Sequence, residues 1–256
     1  MANIWTDILA WLFITLFAVW FCQAWLTRHI YGLGWLLLAD QERAKTAYQL
    51  LLVPGVALHE LSHWIMAKIL FVHTGRFSLF EPQTMQNRRV IRLGYVEIAQ
   101  SDIWRTSLIG LAPLIGGIAV LSGLATLIGI DTTGPLQGQQ FLTRLPNSII
   151  SAFRNPLAWV PMYFIFAVSN TMLPSREDRR PWVLAVMVPG FILAALYLFR
   201  IVPDIPQNFE TLLLNLSSKV IALVAMTAAL DVGLMVTIWL AEHLVGRLRG
   251  KKVEYK

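Results

Sequence analysis

The chain has little that would suit it to water. Charged residues make up only 14% of its 256 residues, while 56% are hydrophobic. That balance excludes a disordered chain and an ordinary soluble domain, and points to a multi-pass membrane protein. Cysteine is nearly absent, with Cys22 alone. A single thiol excludes an intrachain disulfide and a Cys-x-x-Cys metal site, so Cys22 reads as a small buried apolar residue. Met1 to Asp7 has no Lys or Arg and no cleavage site after it. The first hydrophobic run is therefore expected to be a retained helix, not a secretory signal. Internal repeats and low-complexity stretches are lacking, and so is the two-fold sequence symmetry of many transporters.

What is present is a set of long apolar runs. About 20 such residues span the hydrocarbon core, and six runs qualify: Ile8 to Leu26, Thr46 to Val72, Thr106 to Ile130, Pro156 to Leu173, Trp182 to Phe199 and Val220 to Leu244. The expected fold is an all-α polytopic membrane protein of about six helices, residues 1–256 forming one membrane domain. The net charge of +6 is explained by its distribution. With both termini cytoplasmic, the inner loops hold Arg76, Arg88, Arg89, Arg92, Arg105, Arg176, Arg179 and Arg180. The inner C-terminal tail adds Arg247, Arg249, Lys251, Lys252 and Lys256. This is the positive-inside pattern. It leaves no need for a nucleic-acid partner, and it brings the basic tail against anionic lipid.

The second run contains His59-Glu60-Leu61-Ser62-His63, an H-E-x-x-H motif. Chance supplies such a spacing on the order of 0.003 times in a chain of this composition, so the motif carries information. On a helix, residues four apart share a face, and two imidazoles there can hold one Zn²⁺. Glu60 is then placed to act as a base toward water. Two His and a Glu are also expensive in an apolar segment unless a partner such as a metal is present. His59 lies about 12 residues, or roughly 18 Å, from the expected inner end of this helix. Pro54-Gly55, a turn earlier, is expected to kink the helix or admit a close neighbour. Ala112 to Gly117, with Pro113, is expected to interrupt the third span in the same way.

Between the second and third spans the pattern changes. Arg76 to Phe80 and Val90 to Ile98 are rich in aromatic and β-branched residues, and Glu81 to Arg89 is polar with Pro82 and Asn87. A β-hairpin is expected, and its edge could pair with an extended substrate strand. A zinc site that works on substrate needs a third protein ligand. Asp178 and Glu177, after a helix break at Pro174, and Asp231, inside the sixth span, are all candidates. Asp231 could equally bond a neighbouring Ser or Thr. His29, His73 and His243 lie at span boundaries and read as interfacial.

These elements together resemble the site-2 protease family of intramembrane zinc metalloproteases. The resemblance covers roughly Ala44 to Phe199 and leaves the first and sixth helices outside. It rests on His59-Glu60-Leu61-Ser62-His63, on Gly110-Leu111-Ala112-Pro113-Leu114, on the hairpin, and on Asn170 with Asp178 eight residues later. Pro174 stands four residues after Asn170, where the family has three, and Asp178 precedes Arg179 rather than a glycine. There is no PDZ-like insert. The resemblance implies one Zn²⁺ held by His59, His63 and Asp178. It makes Glu60 the catalytic base and gives Asn170 a hand in holding substrate or oxyanion. The expected activity is hydrolysis of peptide bonds in membrane-embedded protein substrates. The alternatives are a non-catalytic zinc-binding chaperone or regulator and, beyond it, a metal transporter using His59, His63 and Asp231. Substrate identity and oligomeric state stay open.

Overall fold

The computed structural model of the chain describes residues 4–85, 88–130, 138–173, 175–182, 185, 187, 191, 207–251 and 253. It is mostly helical, with one small sheet. In order come α1 (Ile4–Leu38), α2 (Gln41–Leu51), α3 (Val53–Ile69), β1 (Thr74–Met85), β2 (Arg88–Ile98) and α4 (Ile103–Leu127). Then follow α5 (Gly138–Arg154), α6 (Trp159–Ser169), α7 (Arg176–Arg179) and α8 (Gln207–Arg249). Three helices are long and apolar enough to cross a membrane, within α1, α4 and α8. The outward face of α1 carries Leu9, Phe13, Phe17 and Trp20, all exposed. Such a stripe is costly in water and suits lipid.

The second expected span is a bent pair, with α2 and α3 meeting at 62°. Pro54 stands in the first turn of α3. It has no N–H to continue the hydrogen-bond ladder of α2, so the chain bends before it. The fourth expected span is a shorter apolar helix, ending where Asn170 caps α6. Most of the fifth, and Pro174, lie outside the described residues. Six crossings are thus more than the described helices supply. The helix α5 was not expected; its Ile149 and Ala152 are buried. Pro113 does not interrupt α4, which runs unbroken past it. One ladder bond is lost at a proline, and its close packing, with almost no exposure, holds the helix on either side.

The hairpin is present, with antiparallel register Phe77↔Val96, Phe80↔Leu93 and Gln83↔Val90. Strand pairing runs further than expected, to Met85↔Arg88. Pro82 is tolerated in β1 because both strands of a two-stranded sheet are edges. Asp102 caps α4, and the hydrogen bond from the Arg105 N–H holds its carboxyl below the usual range.

The main core joins α4, α5, α6 and α8 through Leu121, Ala125, Ile149, Ile165, Leu223 and Met226. A smaller cluster of Ala67, Val72 and Ile109 packs the end of α3 onto α4. The helices α1 and α8 pack in parallel: His29 meets Glu242 at 2.5 Å, and the Lys251 Nζ lies 5.7 Å over the Trp35 ring. Ile4 and Arg249 therefore lie at opposite ends of the pair. Loop charges are counted along the sequence and carry no information about which helices pair.

Candidate metal centre

The centre starts on α3, where the helical rise puts His59 and His63 one turn apart on one face. Each ring is fixed by a backbone carbonyl. His59 Nδ1 lies 2.7 Å from the Thr171 oxygen, and His63 Nδ1 lies 2.8 Å from the Ile109 oxygen. A carbonyl only accepts, so both Nδ1 atoms carry the proton and donate. Both Nε2 atoms then present lone pairs, and they lie 3.1 Å apart. With both rings neutral, two lone pairs face each other there, an arrangement that a shared cation would satisfy.

Asp178 completes the group. Its Oδ1 lies 3.4 Å from His63 Nε2, and its Oδ2 lies 3.8 Å from His59 Nε2. The ligand atoms of His59, His63 and Asp178 all lie within 4.8 Å of one another. Two ligands at about 2.05 Å from a tetrahedral Zn²⁺ are about 3.3 Å apart, so these separations suit such an ion. Nδ1 donation to a carbonyl is also the usual support of metal-binding histidines. The three side chains are 14%, 8% and 17% exposed, sheltered yet within reach of a cavity. Among the described residues no fourth His, Cys, Asp or Glu joins the group.

Local sequence explains how Asp178 is held. Ser175 caps α7, with its Oγ accepting from the Asp178 N–H at 3.2 Å. In return Asp178 Oδ2 accepts from the Ser175 N–H at 2.8 Å. This is a capping box, legible as Ser175-x-x-Asp178 but hidden in the sequence among the charges of that loop. Gly110 of α4 faces the Asp178 carbonyl so closely that a Cβ there would collide with it. Trp182 Nε1 donates to the Ser107 carbonyl at 3.2 Å and ties the same segment to α4.

The carbonyl under His59 is brought by α6. Gly55 packs against the Ala167 carbonyl and the Thr171 hydroxyl with no room for a Cβ. The Pro54-Gly55 pair thus both bends the chain and admits a neighbour. Glu60 lines a cavity of ≈ 670 Å³ together with His59, His63, Glu177, Asp178 and Tyr95. Gly94 of β2, at φ +70, lies over it; a Cβ there would stand 2.7 Å from Glu60 Oε1. The hairpin therefore forms one wall of the cavity.

The remaining candidates fall elsewhere. Glu177 lines the cavity without entering the ligand group. Asn170 donates through Nδ2 to the Phe166 carbonyl at 2.8 Å, within its own helix, and does not line the cavity. Asp231 is 1% exposed in α8, and neither carboxylate oxygen has a hydrogen-bond partner among the described residues. The Ser or Thr partner considered for it is not found there. His29, His73 and His243 stay outside the group. The motif helix ends at Ile69, so His59 lies roughly 15 Å from its end, somewhat nearer than expected. Comparison with protein-family models, with curated proteins and with solved structures finds no match to this chain.

Proposed function

We propose that this chain is a zinc-dependent intramembrane endopeptidase of the site-2 protease kind, acting on membrane-embedded protein substrates. The observation that carries the reading is the convergence of His59 Nε2, His63 Nε2 and Asp178 on one point, beside Glu60 and a cavity. His59, His63 and Asp178 would hold the ion, which supplies Lewis acidity when bound. Glu60 follows His59 directly on α3 and faces the cavity. It takes a proton from water there and returns it to the leaving amine. The wall of the cavity formed by Gly94, Tyr95 and Val96 offers an extended peptide a partner. A transmembrane substrate must unwind before it can lie there, because a helix keeps its peptide groups in its own hydrogen bonds. In this reading the hairpin end of α3 faces the cytoplasm, and the cavity gives water its way in.

A purely structural zinc site closes its coordination with four protein ligands. Among the described residues the group has three members, which favours the catalytic reading over a zinc-binding chaperone or regulator. A metal path through His59, His63 and Asp231 has less support, since Asp231 does not join them. The test is Glu60→Gln in the purified chain reconstituted in liposomes. Zinc content should stay at the wild-type level while cleavage of a transmembrane reporter is lost. Cleavage at the wild-type rate would remove Glu60 from the chemistry.

A further inference from the structure

A second cluster lies where α1 and α8 finish together. Polar residues meet at one level of the two helices: Arg28 and His29 of α1, Glu242 and His243 of α8. Aromatic rings mark this level, with Trp25 stacked on His29 at 3.7 Å and Trp239 stacked on His243 at 5.6 Å. Tryptophans at such a level are the mark of a membrane–water interface. Between the helix ends is a cavity of ≈ 890 Å³, lined by His29, Glu242, His243, Arg247 and Lys251 among others. Glu242 is met by His29. Arg247 and Lys251 form no ion pair among the described residues, so two cationic side chains line the cavity beside the Glu242–His29 pair. Leu36, Trp239 and Val253 add apolar wall beside them.

We propose that this cavity binds the headgroup phosphate of an anionic phospholipid. A phosphodiester offers acceptor oxygens to the Arg247 guanidinium and the Lys251 ammonium. Inorganic phosphate shares that chemistry. The apolar wall and the tryptophan level favour the lipid, whose glycerol and first methylenes would lie against Leu36 and Trp239. The site is independent of the metal centre and of the peptidase reading.

The test uses the full chain in a neutral detergent, titrated with fluorescent phosphatidylglycerol and with phosphatidylcholine carrying the same label. Wild type should bind phosphatidylglycerol the more tightly. The double variant Arg247→Gln/Lys251→Gln should lose about fivefold for each charge, about thirtyfold together. Arg43→Gln/Lys45→Gln makes the same charge change on α2 and should keep wild-type affinity. Equal losses in both double variants would mean general surface attraction and would overturn the site. So would equal affinity for the two lipids. Competition by inorganic phosphate at concentrations matching the lipid would assign the cavity to the free anion and overturn the lipid assignment.

Discussion

Gly94→Ala tests how the hairpin meets the motif helix. At φ +70 an L-residue costs about 1–2 kcal/mol more than glycine. The added Cβ would stand 2.7 Å from Glu60 Oε1, 2.7 Å from Val56 Cγ1 and 2.9 Å from Glu60 Cγ. An ordinary carbon contact is about 3.5 Å, so Glu60 or the strand must retreat by roughly 0.8 Å. Misplacing a reacting group by about 1 Å lowers a rate about a hundredfold. The three atoms nearest the added Cβ belong to Glu60 and Val56 and none to the metal-binding group, so the ligand set is expected to be spared. The expected outcome is a folded chain with slightly lower thermal stability, wild-type zinc content and cleavage reduced about a hundredfold. Zinc content is read by elemental analysis of the purified chain, and cleavage by a transmembrane reporter in liposomes. Cleavage at the wild-type rate would refute the placement of Glu60 under the strand. Loss of zinc would show that the hairpin supports the ligands instead.

Two further substitutions separate the remaining carboxylates. Asp178→Ala should weaken zinc binding by more than about a hundredfold, beyond the usual loss for a supporting residue, while Glu177→Ala and Asp231→Ala leave it unchanged. Competition with a chelating dye measures this, and an equal loss in either of the last two would displace Asp178 as the third ligand. Asp231→Leu removes two buried oxygens that lack partners among the described residues and should stabilise the chain by about 1–3 kcal/mol. A rise in Tm checks it, and a fall would mean that the carboxylate has a partner after all.

The sequence makes some of this site legible and conceals the rest for physical reasons. His59, Glu60 and His63 can be read because their geometry is local, set by helical rise alone. Asp178 is 115 residues beyond His63 in the chain. Spacing alone left it level with Glu177 and Asp231, and only the family resemblance preferred it. The carbonyls of Ile109 and Thr171 could not be found at all, since a backbone oxygen has no letter of its own. Gly94 was hidden by the hairpin register, which is a tertiary fact. Among the larger elements, the hairpin and the apolar helices of α1, α4 and α8 were visible in composition. The helix α5, the continuity of α4 past Pro113 and the parallel α1–α8 pair depend on neighbours, and neighbours are not written in a hydropathy pattern.

That pairing has a consequence for the order in which the molecule is assembled. His29 and Glu242 are 213 positions apart, so α1 must wait for nearly the whole chain before its partner is made. The groups that build the metal centre all precede α8, and they can come together while the last helix is still being synthesised. Until then Cys22 and Leu26, buried in the finished fold, lack the helix that packs beside them. A chain truncated before α8 would be a sensible mimic of this late intermediate: its histidines already collected, its first helix still open along one flank.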